Sequence, residues 1–309
     1  MAQRVEPRQQ VQAPPRGLAL PGRGAAQLAE LPSRTGRMRR RFLHNRLGVV
    51  GLGIILTVVA LAILSTAIAP YHWKEQDIVN RFKGPSADHW LGTDELGRDI
   101  LSRVLYGARY SLTFGIASIA FSFTIGPALG AIGGFYRKLD PIVMRLIDVM
   151  MAFPGILLAI AIAAALGPGL MNTTIAIAVN EIPGFTRLTR SLVLSLRERE
   201  FVVAARVIGA DDLTVVRRHI LVNLVSPLIV FASLRISVAI LAGATLSFLG
   251  LGIQPPIPEW GTMVSTARGY LAVAPHTFFY PTLAIFITVV AFNLLGDALR
   301  DALDPRRVM

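Results

Sequence analysis

The chain has 309 residues, of which 53% are apolar and only 16% charged. A soluble domain carries about 25% charged residues, and a mean hydropathy of +0.56, gathered into long uncharged stretches, excludes an ordinary soluble core. Cysteine is absent, which excludes disulfide frameworks, thiolate zinc sites and cysteine nucleophiles. The net charge of +12 would suit nucleic acid in a soluble chain, but ten arginines against two glutamates lie within residues 1–46. No aromatic side chain precedes Phe42 to stack on a base. The chain therefore reads as a membrane protein whose partner is the lipid bilayer and not nucleic acid.

Residues 1–40, rich in Pro, Gln, Gly and Arg, predict a disordered basic cytoplasmic tail. The apolar run that follows is too long for the h-region of a signal peptide. A membrane-spanning helix needs about 20 apolar residues. Residues 47–69 supply them without a charge, closed by Pro70, and residues 111–136 supply a second span. The uncharged stretch 149–180 is too long for one crossing, and Gly167-Pro168-Gly169 divides it into helices predicted over 141–166 and 171–196. Spans over 224–249 and 278–298 complete six, in a transmembrane domain over 41–306.

Arg37, Arg39, Arg40, Arg41 and Arg46 ahead of the first span place the N-terminus in the cytoplasm, and six crossings return the C-terminus there. The loop over 71–110 balances its cations with an equal number of acids, which reads as a small folded segment. The predicted fold class is an all-α integral membrane protein with six transmembrane helices and both termini cytoplasmic.

Three features carry chemistry. The connection 197–222 begins with Glu200, Ala204, Ala205 and Arg206 on a short helix ended by Gly209; Asp211 or Asp212 then caps a second helix bearing Arg217 and Arg218. Two short helices joined by a glycine break make a compact docking knob. Arg235 lies mid-span, where an arginine costs about 2.5–3.5 kcal/mol to insert, with Glu181 of the fourth helix as its candidate counter-ion. Two readings stand for it: a pathway residue that meets a cargo carboxylate, or a structural ion pair or subunit-interface residue. Arg145 and Asp148, three residues apart, predict a local ion pair.

The five histidines lack metal-ligand spacing. Lysine occurs only at Lys74, Lys83 and Lys138, so no Gly-x-x-x-x-Gly-Lys-Ser/Thr phosphate loop exists. Neither a Gly-x-Ser-x-Gly elbow nor a His-Glu-x-x-His zinc motif is present. No catalytic, cofactor-binding or metal residue is assigned.

Four segments together resemble a known family. The 200–210 segment is similar to the EAA loop of binding-protein-dependent ABC importers. His89-Trp90-Leu91-Gly92-Thr93-Asp94-Glu95-Leu96-Gly97-Arg98-Asp99, Leu246-Ser247-Phe248-Leu249-Gly250-Leu251-Gly252 and Asn293-Leu294-Leu295-Gly296-Asp297 resemble the C-type permease subunit of dipeptide, oligopeptide and nickel importers, dipeptide permease above all.

The resemblance implies a type I importer-like permease in a bacterial or archaeal plasma membrane. It implies a second permease subunit, two ATPase subunits that carry ATP and Mg, and an extracytoplasmic binding protein. Glu200, Ala204, Ala205, Arg206, Gly209, Arg217 and Arg218 would form the ATPase-coupling surface, and the cargo would be di- or oligopeptides, or alternatively a nickel chelate or glutathione. Three positions depart from the family pattern: Val203 and Gly243 stand where Glu is usual, and Val222 where Pro is common. Two readings from other classes remain. A self-sufficient secondary transporter predicts internal repeats and intramembrane ion ligands, and a membrane-bound enzyme predicts a catalytic constellation.

Overall fold

The computed structural model describes residues 41–303, so the predicted disordered tail at 1–40 lies outside the described residues. Among the described residues nine helices carry the fold: α1 Arg46–Ile68, α2 Ile100–Phe135, α3 Asp140–Met151, α4 Gly155–Leu166, α5 Leu170–Leu196, α6 Glu200–Val207, α7 Asp212–Phe248, α8 Trp260–Ala267 and α9 His276–Leu303. The described residues form no strand, only an isolated bridge between Thr93 and Asp99. α1, α2, α7 and α9 are each long and apolar enough to cross a membrane, and the α3–α4 pair adds a fifth candidate if it is one broken span. α5 has 27 residues, but Glu181, Arg187 and Arg190 keep it from the same apolar standard.

The sequence predicts one helix over 141–166; the structure instead has α3 and α4 meeting at 87°. Pro154 is the cause, since it removes an amide donor and crowds the preceding turn. α2 also begins well before the apolar run. Asp99 caps it by accepting from the Ser102 amide at 2.7 Å, so the helix extends through Arg103 and Arg109 into the polar segment.

In lipid, helices gain little from apolar burial against one another, so close van der Waals approach and interhelical hydrogen bonds hold the bundle. The α2–α5 seam shows this most clearly. Ser118, Ser122, Gly126, Gly130 and Gly134 recur every fourth residue on one face of α2. Ser118 Oγ donates to Thr174 O at 3.0 Å and Ser122 Oγ to Ala178 O at 2.7 Å. Below them the glycines admit the α5 backbone itself: a Cβ on Gly130 would lie 2.5 Å from Thr186 O, and one on Gly134 2.9 Å from the Val193 Cβ. α1 meets α9 in the same way, with Gly51 facing Ala291 O and Leu294.

The segment between α1 and α2 is folded, held by charge at its centre. The buried Asp94 carboxylate accepts from the Leu96 and Arg98 amides, both at 2.9 Å, and from Arg98 Nε at 2.6 Å, with Arg103 Nε at 3.3 Å. Arg98 Nη2 also reaches Glu95 at 2.5 Å. Burial and the neighbouring Asp94 nevertheless push the Glu95 carboxyl above its ordinary value, outweighing the pull of Arg98 and Arg103. His89 Nδ1 lies 3.1 Å from Asp99.

Glu259, fully buried, is the acid the sequence reading did not single out. It caps α8: Oε1 accepts from the Gly261 amide at 2.9 Å and the Ser111 hydroxyl at 3.0 Å, and Oε2 from the Thr262 amide at 2.9 Å. Each bond to an ionised acceptor contributes about 1.5–3 kcal/mol. Glu259→Ala strands these donors and is expected to lower the detergent-state Tm by several degrees, whereas Glu259→Gln retains part of the loss. Thermal unfolding of the purified variants measures it; an unchanged Glu259→Ala midpoint contradicts the assignment.

Candidate coupling surface and intramembrane ion pair

The 197–222 connection forms a helix–turn–helix knob. α6 ends in a glycine cap, where Gly209 takes φ +90° and the Ala210 amide donates back to Ala205 O at 3.0 Å. Asp211 then caps α7 through the Thr214 amide at 3.4 Å, and bonds to Thr214 hold its exposed carboxyl below the ordinary range. The first turns of α7 include a π-helical stretch, Val215–Ile220.

Two faces of the knob differ. Val202 and Ala205 turn inward with Val215 and Ile220, packing into the core cluster that contains Phe135 and Val193. Arg206 stacks over the Phe135 ring at 5.2 Å and lies 3.9 Å from Asp212, tying the knob to the end of α2. Outward lie Phe201, Val203, Val207, Ile208 and Leu213, with Val207 81% and Ile208 85% exposed. Glu200, Ala204, Gly209, Arg217 and Arg218 are exposed as well. Of the residues singled out in sequence on this connection, Ala205 alone is buried against the core, and the others are exposed. The exposed aliphatic tip was missed, because Val207 and Ile208 read as ordinary helix residues until the turn shows them facing away from the core.

Arg235 of α7 meets Glu181 of α5 through a two-bond fork: Nε to Oε2 at 2.5 Å and Nη2 to Oε1 at 2.6 Å. Glu181 is 1% exposed at its side chain and Arg235 33%, so the carboxylate is sealed while the arginine side chain is partly exposed. Phe231 lies beneath the guanidinium at 5.9 Å and packs edge-on to Phe185 at 4.9 Å. The fork compensates charge in a place where an unpaired group is costly.

Two more ion pairs join α3 to α5. Asp140 holds Arg190 at 2.5 and 2.6 Å, and Asp148 holds Arg187 at 2.6 Å. The partner of Asp148 is thus Arg187 and not Arg145, because the approach of α5 brings the Arg187 Nη2 within a single hydrogen bond of its Oδ1.

The three family departures have distinct surroundings. Val203 and Val222 are solvent-facing, 50% and 64% exposed. At Gly243 a Cβ would lie 2.6 Å from the ring of the fully buried Phe114, so a glutamate could enter only by displacing that ring.

Comparisons with known proteins identify the family. Residues 126–309 match the family described as binding-protein-dependent transport system inner membrane component. Residues 33–85 match the N-terminal transmembrane domain of oligopeptide transport permease C. A glutathione transport system permease protein of Pectobacterium atrosepticum is 48% identical over 271 residues, 86% of this chain and 89% of that protein. A dipeptide transport system permease protein of Alkalihalophilus pseudofirmus is 48% identical over 268 residues, 86% of this chain and 88% of that one. Among solved structures, a chain of the inward-facing MetNI methionine ABC transporter superposes with a TM-score of 0.56 at 18% identity, covering 66% of this chain and 98% of its own, a likeness of fold. The chain belongs to the binding-protein-dependent transport system inner membrane components, and within them to the C-type permeases of the peptide and nickel ABC importers.

Proposed function

We propose that this chain is one of two permease subunits in an ATP-driven importer of short peptides, dipeptides or glutathione, in the plasma membrane of a bacterium or archaeon. The observation that carries the reading is 48% identity across most of the chain to both a glutathione and a dipeptide transport permease protein. Both cargoes are small zwitterionic peptides, and in such importers the binding protein makes most of the choice between them.

In this reading α3–α4 is one broken crossing and α5 another, giving six crossings with both termini cytoplasmic. The knob at residues 197–222 then faces the cytoplasm and seats in an ATPase subunit: Val207 and Ile208 supply apolar contact, and Arg217 and Arg218 charge contacts. ATP and Mg sit on the partner subunits. Closure of the ATPases pushes on the knob, and α7, continuous from Asp212 to Phe248, transmits that push along the bundle and switches access to the pathway. The folded segment before α2 and the α8 region face the loaded binding protein. The partial exposure of Arg235 supports a passing contact with a peptide carboxylate; the sealed fork to Glu181 supports a structural role.

Reconstitution of the complete complex with its binding protein in proteoliposomes tests the reading. ATP-dependent uptake of labelled dipeptide or glutathione is expected; uptake driven by an ion gradient without ATP contradicts it. A paired Val207→Asp, Ile208→Asp variant removes the apolar tip at exposed positions, where substitutions usually change stability by within about 0.5 kcal/mol. It is expected to leave Tm unchanged and to abolish ATP-driven uptake along with ATPase co-purification. Uptake at the wild-type rate would remove the knob from the coupling path.

A further inference from the structure

A groove of about 520 Å³ runs along α1 between α2 and α9, lined by Gly53, Thr57 and Leu61 of α1, Leu105 and Ala108 of α2 and Ile287 of α9. From Val50 to Leu61 it follows α1 for about 16 Å, at the helical rise of ~1.5 Å per residue. Its hydroxyls are already committed to their own helices: Thr57 donates to Gly53 O at 2.9 Å and Thr288 to Ala284 O at 2.8 Å. The walls therefore offer hydrocarbon contact and nothing for a polar ligand. Both α1 and α9 are apolar enough to span a membrane, so the groove opens where acyl chains are the surrounding solvent.

A cation adjoins the groove. Arg109 follows Ala108 and bonds to α1 just beyond Leu61, with Nε donating to Ala62 O at 2.5 Å and Nη2 to Ile63 O at 2.7 Å. A guanidinium has five donors, and here the two bonds formed go to main-chain carbonyls, with no carboxylate paired to Arg109 among the described residues. The side chain is exposed. A hydrocarbon trough about 16 Å long beside an arginine whose remaining N–H donors are uncommitted is complementary to an anionic amphiphile.

We propose that this groove binds one anionic phospholipid, an acyl chain lying along α1 and the phosphate held by Arg109. The cation beside the hydrocarbon walls favours an anionic lipid over an apolar helix of another subunit. The inference requires only that α1 and α9 lie in the membrane; it does not depend on the cargo or on ATP coupling.

The test is lipid analysis of the assembled complex, purified from membranes containing phosphatidylethanolamine and phosphatidylglycerol and washed extensively in detergent. Gly53→Leu fills the groove from a position where the first added carbon, Cβ, meets nothing within 4 Å. Thr57→Leu fills it from the next turn, and Arg109→Gln removes the cation. The wild-type complex is expected to retain phosphatidylglycerol, and both filling variants to lose it with the subunits still assembled. Arg109→Gln is expected to keep a lipid but lose the enrichment of phosphatidylglycerol over phosphatidylethanolamine. Wild-type complex without retained lipid, or filling variants that keep it, overturns the proposal. So does loss of the second permease chain from the filling variants, which would make the groove a seat for that subunit.

Discussion

Arg235→Met is expected to destabilise the bundle sharply, because it leaves the Glu181 carboxylate, 1% exposed, without its fork. Removing one partner of a buried ion pair costs about 3–5 kcal/mol, and the partial exposure of Arg235 places this case near the lower end. The companion variant Glu181→Gln with Arg235→Met removes both charges and is expected to recover much of the loss, since a buried pair replaced whole is often close to neutral. Thermal unfolding in detergent and the yield of assembled complex report the stability arm. Uptake by the double variant reports the other: normal transport leaves the pair a structural role, whereas normal assembly with lost uptake of peptides places Arg235 in the pathway. An Arg235→Met variant as stable as wild type would mean that the fork contributes nothing to the fold.

Gly130→Leu is expected to have an effect as large by a different route. Its Cβ would lie 2.5 Å from Thr186 O and 2.6 Å from the Thr189 Cβ, so the α5 backbone itself must retreat. Overpacking of a tight interior costs about 1–3 kcal/mol or more. Retreat of α5 would also lengthen the Ser118–Thr174 and Ser122–Ala178 bonds along the same seam, each worth about 0.6 kcal/mol in a membrane. The expected result is loss of assembled complex from the membrane fraction. Gly53→Leu, facing open space, is the matched control and should assemble normally. Wild-type yield and Tm for Gly130→Leu would contradict the close-packed seam.

How much of this was legible in the sequence follows from which interactions are local. Uncharged stretches long enough to span a membrane identify an all-helical membrane chain, because no other open structure satisfies its backbone in lipid. Arg235 and Glu181 stand out because a charge amid apolar residues is conspicuous, but their bidentate geometry depends on how α5 crosses α7. The break between α3 and α4 was signalled only by Pro154, which hydropathy ignores. The start of α2 was hidden for the opposite reason: hydropathy stops at the polar boundary, while the Asp99 cap lets the helix run past it.

Asp148 illustrates a limit of spacing arguments. Arg145 is a neighbour on the same helix, yet Arg187, 39 positions away, supplies the bond at 2.6 Å. Glu259 gave a weak signal because Glu is not among the preferred capping residues. The Ser118, Ser122, Gly126, Gly130, Gly134 periodicity was open to reading as a helix-packing face, since small residues four apart are the signature of close approach in membranes. In the knob, Ala204 and Ala205 are adjacent in sequence but face opposite ways, and only packing against Phe135 and Val193 distinguishes them.

The central claim is that this permease has no energy source of its own and is moved through the 197–222 knob by separate ATPases. Its most direct test is purification of the tagged chain from native membranes in mild detergent, with mass spectrometry of the proteins that accompany it, for wild type and for the paired Val207→Asp, Ile208→Asp variant. The account predicts a second permease chain with both, and Walker-motif ATPases with the wild type alone. A tagged chain that purifies by itself, folded and active in ion-gradient-driven uptake, would contradict it.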